Sequence, residues 1–336
     1  MIFSLLLKES GKKVKNLKKI VIGTRGSKLA LWQANWVQDR LRELVPEIEL
    51  EVSTIKTEGD ERHDLSPEAF GKEGIFTAEL DRALLEERID IAVHSLKDLP
   101  TRLPEGLTVA ACTERGAVGD TLIIRSDRLP PGAGDQVPLE DIIESMNPDL
   151  TVGTSSLRRI AQLKNAFPRL SFAPMRGNLD TRVRKLSEGH VDALVVASAG
   201  LARLSVKTDP HLALALPFRL VLPAAGQGSL GLETREEGEA REIAKLINHS
   251  ETSIAVRAER KAMSALGAGC RVPAGFLATV QNGRLHLRGV VAHVDGEPLL
   301  RAEVEDSADN FDSAGRALAE DLLQKGAEDI LKEVRE

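Results

Sequence analysis

Aromatic residues make up only 3% of this 336-residue chain, and tyrosine is absent. Proteins that bind single-stranded nucleic acid stack its bases on aromatic side chains, so that class is not expected. The net charge of -6 also opposes a general attraction to the phosphate backbone. We therefore predict no nucleic-acid partner, and any anion site must come from a local cluster of positive charge.

Cysteine and long apolar runs are also scarce. The two cysteines, Cys112 and Cys270, cannot form a disulfide framework or a four-cysteine zinc site, and such scarcity is typical of a reducing compartment. No run approaches the ~18 apolar residues of a membrane-spanning helix, and the apolar stretch near Met1 is too short for a signal peptide. We expect a cytoplasmic protein with no metal site and no membrane partner, and we predict that residues 1–18 are a disordered leader.

A strand, a glycine-containing turn and a helix follow one another twice. Residues 19–23 (KIVIG) predict a buried strand, and Ser27 is a candidate N-cap before apolar residues at helical spacing. Residues 150–153 (LTVG) and the segment from Leu157 repeat this order. The repetition predicts two similar α/β lobes, whose ligands should lie at the carboxyl ends of strands, near helix N-termini.

The pattern changes in the last part of the chain. Apolar residues at helical spacing run from Ile254 to Leu266 and are followed by glycine. The Asn282-Gly283 pair between two strand-like runs predicts a hairpin, and residues 308–334 predict a helix interrupted near Gly326. These features indicate a small α+β domain over 247–336.

Several arginines stand near predicted strand ends or helix starts. Arginine binds carboxylate and phosphate through paired N–H donors, and helix N-termini add further donors. A polyanionic ligand fits this pattern. The alternative is that these are solvated surface arginines, and it is weakest for Arg158 and Arg159, which are adjacent at a serine-rich helix start. The arginines are Arg25, Arg158, Arg159, Arg176, Arg182 and Arg203.

The run 94–100 (HSLKDLP) ends a predicted buried strand. Asp98, beside Lys97, has the chemistry of a general acid or base and of a group that stabilises a developing cation. The alternative is a turn before a proline in which Asp98 bonds local backbone. His94 by itself is expected to be structural.

Cys270 stands in the run 267–273 (GAGCRVP), just after a predicted helix C-terminus. The partial negative charge of a helix C-terminus disfavours a thiolate, and Arg271 offsets this only in part. A fast nucleophile would prefer a helix N-terminus, whereas a residue alkylated once and slowly need not. We interpret Cys270 as a covalent attachment point for a prosthetic group. The alternative, a small buried hydrophobe, fits Cys112 well.

Together these motifs resemble the porphobilinogen deaminase family, from about residue 19 through residue 280 and more loosely to the end. Each motif is short, but their order and spacing are highly specific. The matching runs are 23–33 (GTRGSKLALWQ), 90–100 (DIAVHSLKDLP), 152–159 (VGTSSLRR), 176–178 (RGN), 222–228 (LPAAGQG), 258–260 (AER) and 269–273 (GCRVP).

The resemblance implies an α/β fold of two lobes like type-II periplasmic binding proteins, each with a mixed sheet, and a small α+β C-terminal domain. It divides the chain into a first lobe over 19–114 and 225–246, a second lobe over 115–224, and a cofactor-attachment domain over 247–336. It implies hydroxymethylbilane synthase activity, in which four porphobilinogen molecules are condensed head to tail on a dipyrromethane primer with release of ammonia. Linear hydroxymethylbilane is then released by hydrolysis.

The resemblance also implies roles for individual residues. Asp98 matches the catalytic aspartate, and Cys270 matches the cysteine that holds dipyrromethane by a thioether. Gln227 lies in the matching hinge region. The positions matching cofactor contacts are Lys97, Asp98, Thr154, Ser156, Arg158 and Arg159. The positions matching substrate contacts are Arg25, Ser27, Asp60, Phe76, Arg176, Arg182 and Arg203. A monomer that passes its product to uroporphyrinogen-III synthase is expected.

Two stretches depart from the family pattern. Glu73 stands where the family usually has a lysine, so Lys72 is the nearest replacement, and the segment from Arg115 to Asp120 lacks one arginine. Two other classes also accommodate an arginine-lined cleft: a non-catalytic anion-binding module and an anion-responsive regulator. The module leaves the missing export signal, the third domain and the Cys270 motif unexplained, and a regulator lacks a visible basic helix-turn-helix segment.

Overall fold

The computed structural model describes residues 18–56, 77–134, 137–145, 150–267 and 272–335. The predicted leader before Lys18, and Asp60, Phe76 and Cys270, lie outside the described residues. The chain divides into two compact units. The first comprises the described residues up to Glu114 together with Ser229–Ser253, and the second comprises Arg115–Gly228 together with the described residues from Ile254 onward. None of the described helices combines the length and the apolar character that crossing a membrane requires.

Strands and helices alternate along much of the described chain, as expected for an α/β protein. The strands are β1 (Lys19–Thr24), β2 (Glu49–Thr54), β3 (Ile91–Ser95), β4 (Leu107–Cys112), β5 (Asp120–Ile124), β6 (Thr151–Gly153), β7 (Ser171–Ala173), β8 (Ala193–Ala197), β9 (Leu212–Ala215), β10 (Leu230–Arg235), β11 (Ala274–Gln281), β12 (Arg284–Ala292) and β13 (Leu299–Ser307). The helices are α1 (Lys28–Leu44), α2 (Ala78–Leu85), α3 (Leu139–Ser145), α4 (Leu157–Ala166), α5 (Leu179–Ser187), α6 (Ser198–Leu204), α7 (Glu239–Lys245), α8 (Ser250–Ala265), α9 (Phe311–Gln324) and α10 (Ala327–Arg335).

The first unit is built on a five-stranded mixed sheet in the order β2-β1-β3-β10-β4. Strands β1, β2 and β3 are parallel, and β10 is antiparallel to both of its neighbours. Since successive strand residues point to opposite faces, Ile20 and Ile22 pack with Leu41 of α1 on one face, while Ala92 packs with Leu80 of α2 on the other.

The second unit repeats this plan in the order β7-β6-β8-β5-β9. Strands β6, β7 and β8 are parallel, and β5 runs antiparallel between β8 and β9. In each sheet three parallel strands lie side by side, and the earliest of them in the chain is in the middle: β2-β1-β3 in the first unit and β7-β6-β8 in the second. An antiparallel strand follows in each sheet, β10 or β5, and then an edge strand, β4 or β9. This repeated order confirms the predicted fold of two similar lobes with mixed sheets.

A third sheet, the antiparallel meander β11-β12-β13, also belongs to the second unit. The predicted hairpin is confirmed: Asn282 and Gly283 both have positive φ, +51° and +74°, as a two-residue turn between β11 and β12 requires. The predicted helix is interrupted at Gly326, where φ is +101°. Leu318 and Leu322 of α9 pack with Phe276 and Leu287 of the sheet to form a separate core, so the α+β character of the C-terminal part is confirmed.

Candidate active site

A pocket opens in the first unit where β1 and β3 end, at the carboxyl edge of the parallel strands. It brings together three of the predicted site residues, Arg25, Ser27 and Asp98. The other side chains that line it are those of Leu29, Ala30, Gln33, Thr77, Val93, His94 and Ser95. The guanidinium, hydroxyl and carboxamide groups of the pocket can donate hydrogen bonds to a carboxylate ligand. The carboxylate of Asp98 can accept a hydrogen bond from an N–H group.

The turn after β1 places Arg25 and Ser27 at this edge. The Ser27 hydroxyl accepts a hydrogen bond of 3.2 Å from the Ala30 amide and thereby caps α1, as predicted. The Gln33 side chain, one turn further along α1, donates to the Ser95 hydroxyl over 2.8 Å. This hydrogen bond joins the first turns of α1 to the end of β3, and both of these segments line the pocket.

Asp98 follows β3 in a single 3₁₀ turn over Leu96–Asp98. Leu96 and Leu99 are fully buried on either side of it, and the Leu99 amide donates to the Leu96 carbonyl. These two apolar anchors fix the turn, so that Asp98 is exposed at the pocket and Lys97 is half-buried.

Two predicted arginines lie inside the second unit. Arg158 and Arg159, in the first turn of α4, are only 5% and 6% exposed. Both bind the fully buried carboxylate of Asp120: Arg158 Nη1 lies 2.7 Å from Oδ2 and Arg159 Nη2 lies 2.7 Å from Oδ1. Arg158 also donates to the Leu222 carbonyl and Arg159 to the Val195 carbonyl. The alternative of solvated surface arginines is therefore wrong for this pair.

The Asp120 carboxylate is held ionised by its partners. Burial alone would raise the pKa of Asp120, but Arg158 and Arg159 outweigh burial and bring it well below its ordinary value. The Gln227 side chain donates to the same carboxylate over 3.0 Å and to the carbonyls of Val118 and Gly119. Gln227, just after the predicted end of the second lobe, is therefore tied to the start of β5.

The remaining predicted contacts of the second unit surround its strand ends. Thr154 is buried, and its hydroxyl accepts from the Ser156 amide over 3.2 Å at the start of α4. Arg176 is exposed, and Arg182 donates to the Gly177 carbonyl over 2.7 Å. Arg203 donates to the Gly228 carbonyl over 2.7 Å, and burial lowers the pKa of its guanidinium.

Several residues of these sites were missed by motif and spacing arguments. In the sequence, Asp120 stands out only as the end of a divergent segment, and Gln33 only as part of a matching run. Glu233 belongs to none of the matching runs, although it is fully buried and lies 3.0 Å from His94 at the pocket. A carboxylate directly after an apolar run, as in residues 230–233 (LGLE), is the signal that would have found it, since buried acidic residues are rare unless they have partners.

Comparison with known proteins places most of the chain in one family. The model described as porphobilinogen deaminase, dipyromethane cofactor binding domain, matches residues 20–243. The model described as porphobilinogen deaminase, C-terminal domain, matches residues 253–324.

Curated relatives are similar over nearly the whole chain. The porphobilinogen deaminase of Carboxydothermus hydrogenoformans is 44% identical over 323 residues, which cover 95% of this chain and 98% of the relative. That of Pelotomaculum thermopropionicum is 45% identical over 324 residues, with the same coverage. That of Nostoc sp. is 42% identical over 323 residues, which cover 94% of each chain.

Solved structures are similar only at low sequence identity. An ancestral cationic amino acid solute binding protein is 15% identical, with a TM-score of 0.41, over 73% of this chain and 91% of that chain. The BenM effector binding domain with its effector benzoate is 13% identical, with a TM-score of 0.40, over 68% of this chain and 91% of that chain.

Proposed function

This chain belongs to the porphobilinogen deaminase family, and from that premise we propose that Asp98 is its catalytic residue and that the surrounding pocket binds its substrate. The chain is a hydroxymethylbilane synthase. It condenses four porphobilinogen molecules head to tail with release of ammonia, and hydrolysis then releases linear hydroxymethylbilane for tetrapyrrole biosynthesis. A non-catalytic anion-binding module does not account for relatives that match 95% of the chain.

The observation that supports the catalytic proposal best is the presence of Asp98, Arg25 and Ser27 in one pocket. Porphobilinogen carries two carboxylates, and Arg25 and Ser27 offer the donors that would hold one of them. Loss of ammonia leaves a positively charged methylene-pyrrolenine. A carboxylate at the position of Asp98 would accept the pyrrole N–H and stabilise that cation.

The chain's own residues fit a dipyrromethane cofactor, whose rings also carry carboxylates. The Nε atom of Arg159 is buried and has no hydrogen-bond partner in the described part of the chain, which suits an additional anionic group. We assign the thioether to Cys270, which lies outside the described residues. The side chains proposed to hold the rings are those of Lys97, Asp98, Thr154, Ser156, Arg158 and Arg159. When bound, the dipyrromethane supplies the pyrrole carbon to which the first substrate is joined.

Further positions are proposed to serve the growing anionic chain. Each added ring brings two more carboxylates, so several separate arginines are needed. The proposed substrate contacts beyond the pocket are Arg176, Arg182 and Arg203 and, outside the described residues, Asp60 and Phe76. Gln227 is proposed as a hinge residue because it binds the Asp120 carboxylate and two carbonyls of the preceding segment.

We also propose a division into domains, a cellular location, an oligomeric state and a partner enzyme. We propose three domains: a first lobe over 19–114 and 225–246, a second lobe over 115–224, and an attachment domain over 247–336. The core formed by the third sheet with helices α8, α9 and α10 supports a distinct C-terminal part. We also propose a cytoplasmic monomer that hands its product to uroporphyrinogen-III synthase.

The Asp98→Asn variant tests the catalytic role. It removes the negative charge but keeps the size of the side chain, so the holoenzyme should retain dipyrromethane and lose turnover by about 100-fold or more. Product formation and intact mass are measured on the same sample. Glu105→Gln, which changes an exposed carboxylate seven positions further along the chain, is the matched control and should turn over normally. Near-normal turnover of the loaded Asp98→Asn enzyme would remove Asp98 from this role.

A further inference from the structure

Three ionisable side chains meet under helix α2, at the wall of the Asp98 pocket. Asp81 is 8% exposed, His94 is 6% exposed and Glu233 is fully buried. Their positions follow from strand pairing: in the antiparallel pair β3–β10, Glu233 stands opposite Ala92 and Gly231 opposite His94. Residues two apart share one face of a strand, so Glu233 and His94 both point toward the helix that carries Asp81.

The contacts in this cluster are close but incompletely satisfied. His94 Nε2 and Glu233 Oε2 lie 3.0 Å apart. Nevertheless, Asp81 Oδ1, His94 Nε2 and both Glu233 carboxylate oxygens are buried without an aligned hydrogen-bond partner among the described residues. Buried polar atoms normally have partners. Among the described residues, a proton on Asp81 is therefore shared with the neighbouring groups of the cluster, Glu233 and Thr77.

The charges of the cluster favour retention of a proton. Burial, followed by the negative charge of Glu233, raises the pKa of Asp81 to about 7, against the opposing effect of His94. Near neutral pH the cluster can therefore both accept and release a proton. The other charged side chains on the elements around it are Glu79 and Arg82 of α2, the Asp90–Arg235 pair, and Arg25 and Asp98 in the pocket.

The condensation reaction requires such a group. The substrate's C–N bond breaks and its electron pair leaves with nitrogen as ammonia, while a C–C bond forms to the free α-carbon of the terminal pyrrole. The C–H bond at that carbon then breaks, its electron pair returns to the ring, and a base must take the proton. Ammonia finally takes up one proton, so that an ammonium substrate and a ring C–H become a C–C bond and an ammonium ion.

We propose that His94 is the base that takes the proton from the pyrrole α-carbon and shares it with the buried carboxyls of Asp81 and Glu233. This inference rests on the proposed function, because it requires the Asp98 pocket to be the reaction site. His94 suits the task since it lines that pocket and also contacts the buried carboxylate. Asp98 is then left to stabilise positive charge, and the relay returns the proton to ammonia or solvent.

His94→Gln and Asp81→Asn test the relay in the loaded holoenzyme. We expect kcat to fall about tenfold or more, with KM for porphobilinogen changed less than about threefold. With porphobilinogen deuterated at its free α-carbon, the isotope effect on kcat should be larger in the variants than in wild type, because C–H cleavage becomes slow. Glu86→Gln, an exposed carboxylate just after α2, should leave kcat and the isotope effect unchanged.

A second readout does not depend on turnover. The infrared carbonyl band of a protonated carboxylic acid should be present in the resting protein at about pH 6 and titrate away near neutral pH. It should be absent from Asp81→Asn and retained in Glu86→Gln. This measurement remains informative if one of the variants loads cofactor poorly.

The two experiments overturn the relay in distinct ways. Unchanged kcat in both variants contradicts it, and so does a lower kcat without a larger isotope effect, which would mark a purely structural role. A wild-type protein without the titrating carbonyl band also contradicts it. None of these results affects the proposed catalytic role of Asp98, which is tested separately by the turnover of the loaded Asp98→Asn enzyme.

Discussion

Arg158 Nη1 lies 2.7 Å from Asp120 Oδ2, and Arg159 binds the other oxygen of the same carboxylate. Two guanidinium groups and one carboxylate leave one net positive charge in a buried site. Asp120 thus holds both arginines in place without cancelling their attraction for an anionic ligand. Backbone carbonyls complete the cluster by binding each arginine a second time.

Asp120→Asn should destabilise the protein strongly. Removal of one partner of a buried ion pair leaves charge uncompensated and costs about 3–5 kcal/mol. Chemical denaturation of wild type and variant measures the difference. Asp127→Asn, which alters an exposed carboxylate paired with Arg125, should change the free energy of unfolding by less than about 1 kcal/mol. Equal effects of the two substitutions would contradict the role of Asp120.

The pH dependence of this effect has a definite sign. The pKa of Asp120 is lowered in the folded protein, so its stabilisation is present above the unfolded pKa of about 3.9 and is lost as the pH falls toward the folded value. The gap in stability between wild type and Asp120→Asn should therefore narrow below about pH 4. A gap that widens with acid would contradict the assigned ion pairs.

Arg158→Ala and Arg159→Ala should impair cofactor loading or raise KM for porphobilinogen. Arg159→Lys should also be impaired, because an ammonium lacks the planar set of donors that reaches both Asp120 and Val195. Intact mass gives the loaded fraction, and steady-state kinetics give KM. Arg40→Ala, an exposed arginine paired with Glu43, is the control. Full loading with unchanged kinetics in both alanine variants would refute the proposed anion contacts.

Asp81→Asn should gain stability relative to wild type as the pH rises. The pKa of Asp81 is raised in the folded protein to about 7, so its carboxyl destabilises the fold progressively above the unfolded pKa of about 3.9. Asparagine does not titrate. Between about pH 5 and pH 8 the difference in the free energy of unfolding should move in favour of the variant by about 2–3 kcal/mol. Thermal unfolding at several pH values measures it, and a difference independent of pH would contradict the raised pKa.

Local features of the fold could be predicted because they depend on neighbouring residues. Ser27 caps a helix through an amide three positions away, and Asn282-Gly283 closes a hairpin by its own backbone angles. The repeated strand, turn and helix likewise follow from short-range patterns of apolar residues. These signals were sufficient to predict two similar lobes and an α+β C-terminal part.

Contacts between distant segments could not be predicted in the same way. Arg158 and Asp120 are 38 positions apart, and nothing in their spacing associates them. Glu233 reaches His94 only because β10 pairs with β3, far away in the sequence. The sequence motifs therefore indicate the arginines and Asp98 as candidates, but they do not indicate Asp120, which orients Arg158 and Arg159, or Glu233, which lies beside the Asp98 pocket.

The most direct test of the account is the intact mass of purified protein from a host that makes porphobilinogen. Wild type and Cys112→Ser should both carry the mass of one dipyrromethane and give colour with Ehrlich's reagent, whereas Cys270→Ser should carry neither. Cys112 is the matched control because it is a buried cysteine of the first unit. Unmodified wild-type protein, or a dipyrromethane retained by Cys270→Ser, would contradict the assignment of Cys270 as the anchor of the cofactor.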